Sequence, residues 1–372
     1  MSERVLTQRE LNRAALARQL LLRRNRLPVG RAVERLCALQ AQYSPSPYIA
    51  LWSRVERFTR VDLTRALQRR QVVKATLFRM TLHLVSARDY LAHAGMWFPA
   101  QRQQFSADVD DATVERLRVT VHALARERPV THAELHDLAR PDFGQRLWRV
   151  RALTPLVHLP PSGTWKFHGR PELRDAETAL GRPPGDPRAG AELLVRRYLA
   201  AFGPASRDDL LRFAALRVRD IQAGLDALEP RLRRFRDEGG RLLLDLASAP
   251  RPPADTVAPV RFLPKWDSLL LAYDDRTRVL PAAYRDTVIR KNGDVLPTFL
   301  VDGVVAGAWR EEKGRIVVEP FVPLPRGVRR ELDDEARRLA AYVTSPDRVT
   351  REPPTMASRP SSRRTSALPL PS

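Results

Sequence analysis

Cysteine and lysine are both scarce in this chain. The single cysteine, Cys37, excludes an intramolecular disulfide, and no Cys/His group has the spacing of a zinc site. Cys37 lies in the apolar stretch Leu36-Cys37-Ala38-Leu39, where a small buried core residue is expected. No apolar run reaches the roughly 18–20 residues that cross a bilayer. The start, Met1-Ser2-Glu3-Arg4, lacks the apolar stretch of a secretory signal. The expected location is therefore the cytoplasm, and no membrane partner is expected. The lysines are only Lys74, Lys166, Lys265, Lys291 and Lys313, so the positive charge is nearly all arginine. Lys plus Arg is 64 against 43 Asp plus Glu, a net charge of +21. A GC-rich codon bias accounts for Arg over Lys but not for base over acid. A field of this size attracts polyanions and releases their counterions. Nucleic acid is the expected partner, although acidic protein faces also answer to the charge alone.

The 372 residues suggest two to four domains, and a hydrophobic fraction of 43% allows large cores. Apolar residues at near-helical spacing mark Leu11 to Leu22, Val29 to Leu39 and Val61 to Arg69, and Pro45 and Pro47 are expected to stop regular structure between the last two. Two β-rich runs, Val72 to Phe78 and Thr81 to Val85, follow. The order recurs in residues 111–185. Val114 to Leu124 reads as a helix, Thr131 with Glu134 as a capping box before a second, and Gln145 to Leu156 as a third bearing Arg146, Arg149 and Arg151. A wing of Leu156 to Leu159 and Trp165-Lys166-Phe167 ends the unit. In residues 186–250, Ser206 with Asp209 caps a helix, Val218 to Leu228 is the next, and Gly239-Gly240 turns a hairpin. Helix, helix, helix, then wing is winged-helix order, in which the third helix enters the major groove and the wing meets the backbone.

Residues 251–345 differ: Val260 to Leu263, Ser268 to Tyr273, Thr298 to Val301, Val304 to Trp309 and Arg315 to Val318 read as strands, with Asp302-Gly303 as a hairpin turn. Glu331 to Val343 reads as a packed helix. Residues 346–372 are Pro-, Ser-, Thr- and Arg-rich and are expected to be disordered; from Arg351 onward they hold four arginines against one glutamate, so most of the charge belongs to the folded part. The expected fold is α+β: three tandem winged-helix domains (1–110, 111–185, 186–250), then a β-rich, barrel-like domain (251–345) and the tail.

Gln40-Ala41-Gln42 is the candidate site. On a continuous helix two residues two apart diverge by about 200°. They face one site only if the helix ends and the chain extends, as Ser44-Pro45-Ser46-Pro47 favours. Taken alone, the pair suits a solvated helix end better than a shared site.

A wider pattern surrounds it. The segments Leu11-Asn12-Arg13-Ala14, Leu16-Ala17-Arg18-Gln19-Leu20, Leu39-Gln40-Ala41-Gln42-Tyr43 and Pro47 to Arg54 resemble the AlkZ-like DNA glycosylases of the winged-helix DNA-binding-domain family. So do Thr76 to Val85, Leu263-Pro264-Lys265-Trp266-Asp267 and Asp275-Arg276-Thr277-Arg278, so that the resemblance covers about residues 5 to 345. It implies a monomer of tandem winged helices around a basic channel, acting on duplex DNA that carries damage, as a monofunctional DNA N-glycosylase with no cofactor or metal. The Gln–apolar–Gln motif maps onto Gln40 and Gln42, expected to orient water and stabilise a sugar cation. That branch is associated with bulky alkylated purines and crosslinks, as self-resistance to genotoxins; the Gln–apolar–Asp branch is associated with housekeeping repair. The resemblance also places a DNA-probing hairpin at Val304, Val305 and Ala306, with an ordinary hairpin of the barrel-like domain as the equal alternative. Further DNA-facing candidates are Tyr43, Arg54, Arg79, Thr81, His83, Arg146, Arg149, Lys166, Trp266, Arg276 and Arg278. For His83 a place in the core, and for Asp267 or Asp275 structural pairing with the arginines, are the competing readings. A non-catalytic DNA-binding regulator is the alternative function.

Overall fold

The computed structural model describes residues 3–105 and 109–345. A short strand β1 (Val5–Leu6) leads into α1 (Gln8–Arg18), then α2 (Val29–Arg35), β2 (Leu39–Gln40), α3 (Pro45–Arg54), α4 (Arg60–Gln68), β3 (Val72–Leu77), β4 (Thr81–Ser86) and the long α5 (Ala87–Phe105). Next come α6 (Asp111–Glu127), β5 (Val130–Thr131), α7 (His132–Phe143), a 3-10 segment (Gly144–Ala152), β6 (Leu156–His158), β7 (Glu172–Asp175) and α8 (Ala176–Leu180). A third group holds α9 (Pro187–Phe202), α10 (Arg207–Ala214), α11 (Val218–Leu228), β8 (Leu232–Asp237) and β9 (Leu242–Leu246). The last holds β10 (Arg261–Leu263), α12 (Arg285–Val288), β11 (Thr298–Val301), β12 (Val304–Glu312), β13 (Arg315–Pro320) and α13 (Arg326–Thr344). The fold is α+β. The proposed disordered tail, 346–372, lies outside the described residues.

Local capping chemistry sets several helix starts as read from sequence. Thr131 and Glu134 form a reciprocal capping box at α7, and Ser206 with Asp209 does the same at α10. Elsewhere the structure departs from the expectation. Pro45 and Pro47 begin a helix rather than stop one, because a proline in the first turn gives up an N–H that has no intrahelical partner. Helix α5 carries no periodic signature because it is buried on most sides, from Tyr90 and Leu91 through Trp97 and Phe98. Residues 165–167 form turns, since Lys166 takes a left-handed φ of 55°, and the strand completing that hairpin is β7. Ser268 to Leu270 is a 3-10 turn capped by Asp267, not a strand.

Three open sheets result among the described residues. The six-stranded sheet has the order β2-β4-β3-β6-β7-β5, so Ala75 of β3 pairs with Val157 of β6 and ties the first two regions together. β1 pairs in parallel with β8, joining the chain's start to the third region. The strands β10-β11-β12-β13 form an open antiparallel sheet. The barrel expected here is absent: β10 and β13 remain edges, and α13 covers the sheet through Leu332, Ala336 and Leu339, packed with Phe262, Phe299 and Trp309. The main core runs through all four regions, with Trp97 and Phe98 of α5, Tyr198 and Phe202 of α9, Phe213 of α10 and Tyr273 of the last region fully buried. Gly95 makes the approach to α5 possible: a Cβ there would lie 1.8 Å from the Gly185 carbonyl oxygen.

Candidate active site

After α2, Cys37 and Ala38 adopt left-handed φ of 56° and 72° and swing the chain into β2. Burial holds the Cys37 thiol protonated by pushing its pKa up. On β2, Leu39 pairs with Leu84 and Gln40 with His83, and the Ala41 N–H donates to the Leu82 carbonyl (2.7 Å). Regular pairing ends there and the chain bends at Gln42 and Tyr43 before α3. The pleat that would place the two glutamines side by side is lost. Gln40 is buried, whereas Gln42 is exposed.

Gln40 is held from below. Arg79 Nη2 donates to Gln40 Oε1 at 2.8 Å; because a guanidinium has no acceptor, the carbonyl is the end of the amide engaged. Arg79 Nη1 also donates to the Phe213 carbonyl (2.9 Å), and the guanidinium lies 4.9 Å from the Phe213 ring centroid. Burial, then repulsion from Arg276, lowers the Arg79 pKa to about 10, so it stays charged at neutral pH. Arg79 and Met80 are consecutive left-handed residues, φ 53° and 58°. Each costs of order 1–3 kcal/mol of backbone strain, which the packing around this turn must sustain.

Gln42 and Tyr43 open onto a cavity of about 470 Å³. Its walls come from three regions: Ile49 of α3, Trp165 and Lys166 from the loop after β6, and Lys265, Trp266 and Trp309 from the last region, with Glu311 at one side. Trp165 is braced edge-on by Tyr48 (5.4 Å) and capped by the Arg60 guanidinium (4.9 Å). Trp266 takes a left-handed φ of 54°, donates its Nε1–H to the Gly293 carbonyl (2.9 Å) and carries Lys265 Nζ 4.7 Å from its ring centroid. Lys265 is in turn paired with Asp294 (2.8 Å). Burial and the charge of Glu311 raise the Tyr43 pKa, so the phenol is neutral. Three tryptophans, a tyrosine, an exposed amide and two lysines make a cavity suited to a flat, cationic or polar aromatic group beside an anionic backbone.

The cavity therefore gathers Gln42, Tyr43, Lys166 and Trp266 from the sequence-derived candidates. Other candidates have structural engagements. Arg54 is buried and paired with Asp267 (2.8 Å). Arg278 is buried, donates to the Pro204 carbonyl (2.8 Å) and lies 4.1 Å from the Tyr273 ring centroid. Arg276 Nε donates to the Leu270 carbonyl (2.9 Å). Arg149 is buried against Phe105, and Arg146 is exposed on the 3-10 segment. Thr81 Oγ1 donates to the Phe78 carbonyl. His83 belongs to the core: its ring packs edge-on against Phe78, and burial, then Arg79, lowers its pKa to about 3.

The hairpin tip at Asp302-Gly303 does not project. Arg9 and Arg13 pair with Asp302, Asn12 Nδ2 donates to the Gly303 carbonyl (2.8 Å), and a Cβ on Gly303 would lie 2.4 Å from Leu16 Cδ1. Val305 is buried, and Val304 and Ala306 are half-buried beside it. The expected apolar wedge is thus docked on α1, and the hairpin that reaches the cavity is the next one, through Arg310 and Glu311. Trp165, Lys265, Trp309 and Glu311 were not singled out from sequence. Trp165 lay only within the expected wing, Trp309 at the end of an expected strand and Lys265 within the Leu263-Pro264-Lys265-Trp266-Asp267 segment.

A basic protein with an aromatic-walled, base-sized cavity beside an amide has the features of an enzyme that works on a nucleobase outside its stack. The sequence model described as DNA glycosylase AlkZ-like matches residues 33–342, and the chain belongs to that family of DNA glycosylases. A relative from Streptomyces sahachiroi, an interstrand DNA cross-link repair glycosylase, is 26% identical over 360 residues, covering 87% of this chain and 93% of the relative. The solved structure of Streptomyces sahachiroi DNA glycosylase AlkZ superimposes with a TM-score of 0.76 at 21% identity, over 91% of this chain and 97% of that one. That likeness carries the fold. No helix among the described residues is long and apolar enough to cross a membrane.

Proposed function

We propose that this glycosylase hydrolyses the N-glycosidic bond of cationic N7- or N3-alkylated purines in duplex DNA, bulky adducts and crosslinks included, and that Gln42 is the side chain at the reacting sugar. The observation that carries the reading is the exposed Gln42 amide at the mouth of a cavity walled by Tyr43, Trp165 and Trp266. An alkylated purine already bears positive charge. As its bond to C1′ breaks, the electron pair neutralises the departing base, so little acid catalysis is needed. Water forms the new C1′–O bond and gives its proton to solvent. The enzyme's task is to place that water and stabilise the oxocarbenium-like sugar, which a preorganised amide dipole does without a strong base. Gln40, fixed by Arg79, sets the course of the chain that presents Gln42. In this reading the three helix–helix–helix–hairpin groups act as winged helices, the first providing the site and the other two holding the backbone. The hairpin of β12 and β13 replaces that of β11 and β12 as the element facing the lesion.

The relative from Streptomyces sahachiroi is named for cross-link repair, and a crosslink-sized adduct suits a cavity open at one side. The reading is tested by single-turnover release of base from duplex containing a nitrogen-mustard crosslink. Unhooking by wild type and its loss in Gln42→Ala support it. Failure of wild type on both crosslinked and monoalkylated DNA removes it.

A further inference from the structure

Away from this cavity, a cluster of basic side chains has few acidic neighbours among the described residues. His132 and His136 stand one turn apart at the start of α7, and His158 at the end of β6 faces His132, with ring centroids 6.4 and 5.3 Å apart. Lys74 of β3 lies under the loop after β6, its Cδ 3.2 Å from where a Cβ on Gly163 would stand. Arg151, from the 3-10 segment, completes the group: its charge and that of Lys74 lower the pKa of both His132 and His158, after burial. Ser162 Oγ lies 2.9 Å from His158 Nδ1. The acids nearby are few. Asp137 acts on His136, alongside Arg140, while Glu134 is engaged by Arg128 and the Thr131 N–H. Neither Lys74 nor Arg151 has a carboxylate among the causes of its lowered pKa; burial alone accounts for both.

The unsatisfied atoms all belong to potential donors. Nε2 of His132, His136 and His158 and Nε of Arg151 are buried without a hydrogen-bond partner, and His158 is only 5% exposed. Buried polar atoms without partners are rare and call for an explanation. The first turn of α7 adds its own partial positive charge. No group of three or more His, Cys, Asp or Glu among the described residues is arranged to hold a metal ion. An oxyanion answers each deficit: it supplies acceptors, takes the guanidinium fork and offsets the mutual repulsion.

We propose that Lys74, His132, His136, Arg151 and His158 form a binding site for a backbone phosphodiester of the duplex whose damaged base enters the Gln42 cavity. The inference rests on the reading of this protein as an enzyme of duplex DNA. The loop that covers Lys74 is the loop that carries Trp165 and Lys166 to the cavity wall, so a phosphate at the cluster also steadies that wall. The histidines are neutral in the free protein: burial and like charges lower His132 to about 4. A bound anion raises their pKa, so the complex takes up protons and affinity rises as pH falls.

The experiment uses the full chain and a short undamaged duplex, with affinity measured against pH and salt for wild type, His136→Gln and Arg151→Gln. Both variants change half-exposed residues, and thermal melting confirms that each is folded. Wild-type affinity is expected to rise between pH 7 and pH 5, by up to roughly tenfold per pH unit for each proton taken up. His136→Gln flattens that rise, and Arg151→Gln reduces the slope of log affinity against log salt by about 1. Folded variants with wild-type pH and salt dependence overturn the site while leaving base release untouched. Inorganic phosphate that shifts the histidine NMR resonances and is not displaced by duplex overturns the DNA assignment in favour of a free-phosphate site. A wild-type protein that neither binds duplex nor releases base removes the enzymatic reading itself, and the site with it.

Discussion

Gln40 and Gln42 are two residues apart and differ in every respect that governs chemistry. One is buried with its carbonyl taken by Arg79; the other stands free at the cavity. Their substitutions should separate. Gln42→Ala is expected to lower single-turnover base release by about 10²- to 10³-fold, the usual cost of one preorganised dipole, with duplex affinity and melting temperature unchanged. Gln40→Ala leaves a buried guanidinium short of an acceptor and should cost about 1–3 kcal/mol of stability in denaturant unfolding. His83 makes a different residue-scale prediction. Its pKa is about 3 in the folded protein and about 6.5 unfolded. The folded state therefore binds fewer protons than the unfolded one between those values, and stability falls as pH drops through 6.5 towards 3. Urea unfolding at pH 7 and pH 5 should show a loss at the lower pH, smaller in His83→Phe than in wild type.

At the scale of elements, α3 connects the motif to the last region. Arg54, near its C-terminal end, pairs with Asp267, whose carboxylate also accepts the Leu269 N–H, and Ser53 donates to the Phe262 carbonyl. Breaking the pair from one side strands a buried charge. Arg54→Ala should therefore cost about 3–5 kcal/mol, read as a lowered denaturation midpoint with no change in the salt dependence of DNA binding. The same element shows what sequence makes legible. Capping boxes at Thr131 and Ser206, and the Asp302-Gly303 turn, are written within a few residues and are legible there. Helices α3 and α5 were not, because a first-turn proline resembles a stop and an all-round buried helix has no stripe. The site was half visible. Gln42, Tyr43, Lys166 and Trp266 could be singled out, but Trp165 is brought in by the loop after β6 packing on Tyr48, and Trp309 and Glu311 by the last sheet packing on α3. Arg54 and Arg278 stand among the DNA-facing candidates because an arginine's letter does not reveal whether its partner is a phosphate or a buried acid.

At the scale of the whole molecule, charge and connectivity act together. The six-stranded sheet spans the first two regions and β1 ties the start of the chain to the third, so the cavity walls are contributed by parts that share one framework. A net charge of +21 on that framework predicts tight, weakly sequence-selective binding to undamaged duplex. Affinity should fall at least tenfold between about 50 and 200 mM salt as counterions cease to be released, measured by fluorescence anisotropy. We propose that the Gln40–Gln42 segment makes this basic framework an N-glycosylase for cationic purines. This is tested most directly by incubating the protein with duplex DNA containing N7-methylguanine and quantifying the free base. Release is expected from wild type, none from unmodified guanine, and none beyond the spontaneous rate with Gln40→Ala/Gln42→Ala. Equal release by wild type and the double variant would contradict the proposal.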